Sequence, residues 1–222
     1  VSANTTVAPS RLERRKARTR AALIKAAQSF IAAGRLNVPV LEITQAADVG
    51  MGSFYNHFET KEELFAAAVE DALDQHGALL DRLTEGIDDS AVVFAQSFRL
   101  TGRLHRREPE LSKVLLQHGL QLISAETGLG PRARRDIEAA TRVGRFKVAD
   151  IDLALSIAAG SALALGQLLH EQPARDDAES ADSVTEALLR TFGLTPREAR
   201  RICSLPLPDS WTGAAADSTA TS

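Results

Sequence analysis

Apolar residues recur along this chain at intervals of three and four almost from end to end, and no stretch alternates convincingly with period two. The pattern predicts helices and nothing else. Leu23, Ala27, Phe30 and Ile31 mark one face of a first helix that Gly34 stops. Two very short patterns follow. Val40, Ile43 and Ala47 share a face over about two turns, with Pro39 suited to the first helical position and Asn37 or Val38 flanking it. Asp48, Val49 and Gly50 then make a turn. In the second pattern, 52–58, Phe54 and Phe58 point inward while Ser53, Tyr55, Asn56 and His57 point out. A longer stripe, from Leu64 through Phe65, Val69, Leu73, His76 and Leu80 to Leu83, runs up to Glu85-Gly86. Further helices are predicted at about 90–107, 110–123, 131–143, 150–171, 178–192 and 196–203.

Local chemistry agrees with these boundaries. Thr60-Lys61-Glu62-Glu63 reads as a capping box, the Thr60 hydroxyl taking the Glu63 N–H and Glu63 reaching back to Thr60. Thr195-Pro196-Arg197-Glu198 repeats the signal with proline at the first helical position. Helices of six to eight residues are not stable alone. The short pair must therefore be clamped by its neighbours, which a helix-turn-helix packed on other helices achieves.

Charge changes the picture more than composition does. The net charge of −3 conceals +5 over 11–58 and −8 from Glu59 onward. A basic head on an acidic body suits a nucleic-acid reader, because affinity begins with Lys and Arg neutralising phosphates. The densest run, R-L-E-R-R-K-A-R-T-R from Arg11, falls on the first turns of the first helix. Alone it would read as a solvated face; feeding a helix-turn-helix, it makes Arg14, Arg15 and Arg18 candidate phosphate contacts, which fix register without reading bases. The single cysteine, Cys203, excludes an intramolecular disulfide framework and a Cys-based zinc site. The first ten residues lack the order of a signal peptide, and a cytoplasmic location is expected.

The run G-S-F-Y-N-H-F-E-T-K-E-E-L, Gly52 to Leu64, resembles the G-x-L-Y-x-H-F-x-x-K-x-x-L signature of the TetR family of bacterial transcriptional regulators. With Ile43, Ala46, Ala47 and Val49 the match runs from Ile43 to Leu64, and its aromatic pair, His-Phe and Lys at fixed spacing make it specific. The resemblance implies an all-α homodimer: an N-terminal three-helix helix-turn-helix domain (11–62, after a flexible arm, 1–10), then a helical ligand-binding and dimerisation domain (63–204) and a disordered tail (205–222). It implies a repressor on a palindromic operator of double-stranded DNA. Ser53 and Asn56 would meet base edges, Met51 a thymine methyl, and Gly52 would let the backbone approach. Tyr55, His57 and Lys61 would hold phosphates. The chain departs from the signature where Asp48 replaces a usual Gly, Gly50 a Ser or Thr cap, and Val40 and Leu41 a Thr and a polar residue. Those departures keep open a second reading, a helical dimer that binds small molecules or partners with weakened DNA binding. Enzymatic function is not expected: no phosphate-binding Gly loop, His-x-x-x-His pair or G-x-S-x-G turn is present.

Beyond the head, 153–169 holds seventeen uncharged residues, near the lower limit for a membrane span. Its interrupting Ser156, Ser161 and Gln167 and its seven Ala or Gly favour close helix packing instead, so no membrane association is expected. By the resemblance this helix and the next pair with their copies in a second subunit, through Ile151, Leu155, Ala158, Ala159, Ala162, Leu165, Gly166, Leu169, Val184, Leu188 and Phe192. Candidate polar contacts to an effector are His76, Gln96, Arg99, His105, Gln117, His118, Gln121 and His170. Beyond Gly86 only Phe94, Phe98, Phe146, Phe192 and Trp211 are aromatic, which favours an apolar, aliphatic effector. No metal or cofactor is expected.

Overall fold

A computed structural model of the chain describes residues 10–123 and 127–208, without the side chains of 118 and 120–123. Within these residues there are ten helices and no strand. The chain divides into two compact units, one ending at Asp71 and the other beginning at Ala72.

In the first unit, α1 (Arg11–Ala32) starts on a full capping box: Ser10 accepts the Glu13 N–H and the Glu13 carboxylate accepts the Ser10 N–H. Ser10 therefore belongs to the helix start rather than to a free arm. Gly34, at φ 68°, turns the chain after α1 as expected. Pro39 does not enter α2 (Val40–Ala46); its extended ψ of 145° makes it the flanking cap. Asp48 adopts φ 52°, the left-handed conformation that the turn demands and that a Gly would reach without strain. The next helix, α3 (Met51–Tyr55), is shorter than its apolar spacing suggests, because a turn at Asn56 and His57 interposes before Phe58. Leu23, Ala27, Ile43, Phe54 and Leu64 are fully buried, with Phe30, Ile31, Val38 and Phe58 nearly so. This packing supplies the clamp that α2 and α3 need. At the start of α4 (Lys61–Leu83), Thr60 accepts the Glu63 N–H at 3.1 Å, but Glu63 reaches one residue further back, to the Glu59 N–H at 2.7 Å.

The second unit contains the rest of α4, then α5 (Ser90–Arg107), α6 (Pro109–Ile123), α7 (Leu129–Arg142), α8 (Ile151–Glu171), α9 (Asp177–Thr191) and α10 (Pro196–Cys203). Its core is built on Phe94, Phe98, Phe146 and Phe192, whose rings stand 5.2–6.1 Å apart in tilted and edge-to-face pairs. Around them pack Ile137, Ala154, Ala158, Leu188, Leu189, Ala199 and Ile202. Leu205 joins this cluster and its carbonyl accepts a bond from Arg99, so packing extends past the point where the sequence suggests a tail. Glycines mark the closest crossings. A Cβ on Gly102 would lie 2.6 Å from Ala181, one on Gly119 2.5 Å from Leu163, and one on Gly166 would run into the His105 ring.

Candidate DNA-reading surface and polar clusters

The outer face of α3 is open. Phe54 is fully buried and Phe58 nearly so, anchoring the segment from behind, while Met51, Gly52, Tyr55 and Asn56 are exposed and Ser53 and His57 half-exposed. Tyr55 stands edge-on to Phe54 at 5.1 Å, so its ring base is steadied and its hydroxyl end remains in solvent. A Cβ at Gly50 or Gly52 would meet no atom within 4 Å. Nothing inside the protein requires glycine at either position. Gly50 caps α3 without a side-chain bond, as its lack of a hydroxyl dictates. Lys61 Nζ donates to Asn37 Oδ1 at 2.8 Å, an exposed bond between the chain before α2 and the start of α4. Arg14, Arg15 and Arg18 are exposed on α1. Sequence reasoning missed Arg20, whose guanidinium lies 5.2 Å over the Phe58 ring and ties α1 to the residues that follow α3.

The polar candidates of the second unit divide by what already holds them. Arg99, 5% exposed, donates through Nε and Nη2 to both oxygens of Asp182, at 2.8 and 3.1 Å, and through Nη1 to the Leu205 carbonyl. It is a structural tie between α5, α9 and the chain after α10. His105 is 2% exposed; its Nε2 lies 3.1 Å from the Ala162 carbonyl and its Nδ1 2.7 Å from Ser112 Oγ, which in turn meets His170 Nε2 at 2.9 Å. A carbonyl only accepts, so His105 carries its proton on Nε2 and the Ser112 hydroxyl donates to Nδ1. His170 then donates to Ser112. Burial lowers the His105 pKa to about 4 and, joined by nearby Arg107 and His105, lowers that of His76 to about 4 as well. Burial also lowers His170. The His76 ring lies 3.4 Å from Thr101 Oγ1. Gln96 is buried and its Oε1 has no partner among the described residues. Gln117 is exposed; the side chains of His118 and Gln121, and all of Trp211, lie outside the described residues.

A charged cluster that no local pattern announces joins α4 to α7. Arg132 donates to Asp74 at 2.7 Å and Asp81 at 2.9 Å, and Arg135 to Asp81 and Asp136. Arg132 crosses α4 at Gly77, where a Cβ would come within 2.6 Å of its side chain. Burial pulls the Asp81 carboxyl upward, but Arg132 and Arg135 hold it below the ordinary range. At Asp136 burial prevails over Arg135 and the carboxyl is raised.

The predicted dimer residues do not all face outward. Leu155, Ala158, Leu165, Gly166 and Leu169 of α8, Leu188 of α9 and Phe192 at its C-cap are buried within one protomer; Ile151, Ala159, Ala162 and Val184 are half-buried. The outward stripe of α8 is instead Leu153, Ile157, Gly160 and Ala164, with Leu153 62% exposed. This helix is long and apolar enough to cross a membrane by length and composition alone, yet its inward residues pack into the helical core.

Two family models match: residues 23–68 match "Bacterial regulatory proteins, tetR family", and residues 89–205 match "Tetracyclin repressor-like, C-terminal domain". Among solved structures, RolR in complex with resorcinol is 34% identical, with a TM-score of 0.71 over 88% of this chain and 98% of that one. RolR without ligand is 35% identical, TM-score 0.68, over 85% and 98%. A TetR-family transcriptional regulator from Pectobacterium atrosepticum shares the fold, at 22% identity and TM-score 0.63 over 85% of this chain and all of that one. No curated protein matches. The chain is a member of the TetR family of transcriptional regulators.

Proposed function

We propose that the chain is a ligand-responsive repressor that grips a palindromic operator as a homodimer in the cytoplasm, and is not an enzyme. The observation that carries this reading is the outer face of α3, uncharged, open and backed by buried Phe54 and Phe58. A helix face of this kind fits the major groove, where Ser53 and Asn56 meet base edges, Met51 a methyl group, and Gly50 and Gly52 leave room for the duplex. Tyr55, His57, Lys61, Arg14, Arg15 and Arg18 take phosphates. Dimerisation uses the outward faces of α8 and α9, with Leu153 and Ile157 joining the half-buried Ile151, Ala159, Ala162 and Val184. Resorcinol bound to a relative that is 34% identical favours a compact hydroxylated aromatic effector over an aliphatic chain. The Phe rings of the second unit pack on one another, and the buried Gln96 Oε1, without a partner among the described residues, offers an acceptor to a hydroxyl.

Gel shifts on DNA flanking its own gene test the reading. Intact protein should retard a specific fragment, Tyr55→Ala with Lys61→Ala should abolish the shift, and resorcinol should weaken it. A shift that survives both substitutions would show nonspecific attraction by the arginines, leaving a dimer that binds ligands without reading DNA.

A further inference from the structure

One face of α9 is charged at both ends and small in between. Asp176, Glu179, Ser183, Ala187 and Arg190 fall at i, i+3, i+7, i+11 and i+14 and are all exposed, while Ala181, Thr185 and Leu188 on the opposite face are buried. The Asp176 carboxylate is taken up by the helix cap, where it accepts the Glu179 N–H at 2.7 Å, so Glu179 is the free acid at this end. Arg190 is the base at the other end, roughly 16 Å along the axis and out of reach. Among the described residues neither side chain has an ion-pair partner. That sets Arg190 apart from Arg99, Arg103, Arg132, Arg135 and Arg145 of the same unit, each of which holds a carboxylate.

Such a face complements itself. A two-fold axis sets residue i opposite residue j and j opposite i. With a second copy of α9 running antiparallel, Glu179 meets Arg190 of the partner subunit, and Arg190 meets Glu179 of the partner subunit. The midpoint of that exchange falls between Val184 and Thr185. The side chains that flank it on the exposed face, Ser183 and Ala187, are small enough to let the two axes close to helix-packing distance. A parallel copy would instead set acid on acid and base on base. The apolar area that holds the pair together lies on α8, which packs against α9 and exposes Leu153, Ile157 and Gly160.

We infer that α9 pairs antiparallel with its copy across the two-fold axis, and that the two Glu179–Arg190 contacts select a second copy of this chain as the partner. The inference rests on the homodimer reading and adds to it an orientation and a means of rejecting other subunits. The apolar face of α8 supplies adhesion without preference; opposite charges at a fixed separation supply the preference.

Full-length chains carrying Glu179→Arg, Arg190→Glu or both test it, with sedimentation and native mass spectrometry reporting the dimer. Each single variant faces like charge at both contacts and should dimerise roughly tenfold or more weakly. Mixed together, the two single variants should form a mixed dimer as tight as the original, because both contacts regain opposite charges. That rescue also shows that neither single variant failed to fold. The double variant exchanges the ends, and should dimerise with itself but not with the unaltered chain. At about 1 M salt, where the screening length falls to about 3 Å, the single variants should approach the unaltered dimer. Single variants as tight as the unaltered chain, weak ones that mixing does not rescue, or a double variant that mixes freely with the unaltered chain overturn the register and leave the dimer reading in place. An unaltered chain that stays monomeric at every concentration removes both.

Discussion

The arginines that open α1 and those inside the second unit lead opposite lives. On α1, Arg11, Arg14, Arg15 and Arg18 project into solvent without a carboxylate among the described residues. In the second unit Arg99, Arg103, Arg132, Arg135 and Arg145 are each committed to one or more aspartates or glutamates, most at 2.5–2.9 Å. Arg145 bridges Asp89 and Glu198 and so joins α10 to the cap of α5. The same side chain serves cohesion where its charge is answered inside the protein and association where it is not. A count of basic residues cannot distinguish these uses. The partner does.

Acidification should separate the units most. His76 and His105 titrate near 6.5 when unfolded and near 4 when folded, so the unfolded chain takes up protons first as pH falls. Their contribution is complete above pH 6.5 and is lost between pH 6.5 and 4, on the order of 3 kcal/mol for each ring. Urea titrations across that window should show the second unit weakening, and a His105→Gln variant should flatten the dependence. A pH-independent midpoint would contradict the neutral, buried state of these rings.

Arginine removal should come next. Arg99→Ala leaves the Leu205 carbonyl without its donor and Asp182 with Arg103 alone, and should cost roughly 2 kcal/mol in thermal unfolding. Arg14→Ala should change stability by less than about 0.5 kcal/mol while weakening DNA binding. Comparable stability losses from the two would erase the distinction between them.

Glycine gives the smallest contrast and the most local one. Gly166→Ala drives a Cβ into the His105 ring and should destabilise by about 1–3 kcal/mol. Gly52→Ala meets open space and should leave the free protein unchanged or stabilise it by less than about 1 kcal/mol, yet impair operator binding. A Gly52→Ala protein that gel-shifts normally would show that no close approach by DNA occurs there.

Much of the fold is legible in the residues alone, and the rest is hidden for identifiable reasons. The clamped pair of short helices follows from Phe54 and Phe58 at one-turn spacing and from the Thr60 cap, since periodicity and capping are local. The inward face of α8 does not follow, because a helix apolar on nearly every side carries no phase; Leu155 and Leu169 turn inward and Leu153 and Ile157 outward with little in their identities to say so. Arg99 reads as a candidate for binding an effector because its partner stands eighty-three residues away. The Arg132 crossing at Gly77 is invisible for the same reason: long-range ion pairs leave no spacing in the chain.

Asp48 and Gly50 give the head an uneven stiffness. One holds a backbone angle that suits glycine better, the other begins a five-residue helix without a hydroxyl to fasten it. Between the well-seated α1 and the capped start of α4, the recognition segment is therefore where deuterium should enter soonest, and the groove itself would finish shaping what the protein leaves loose.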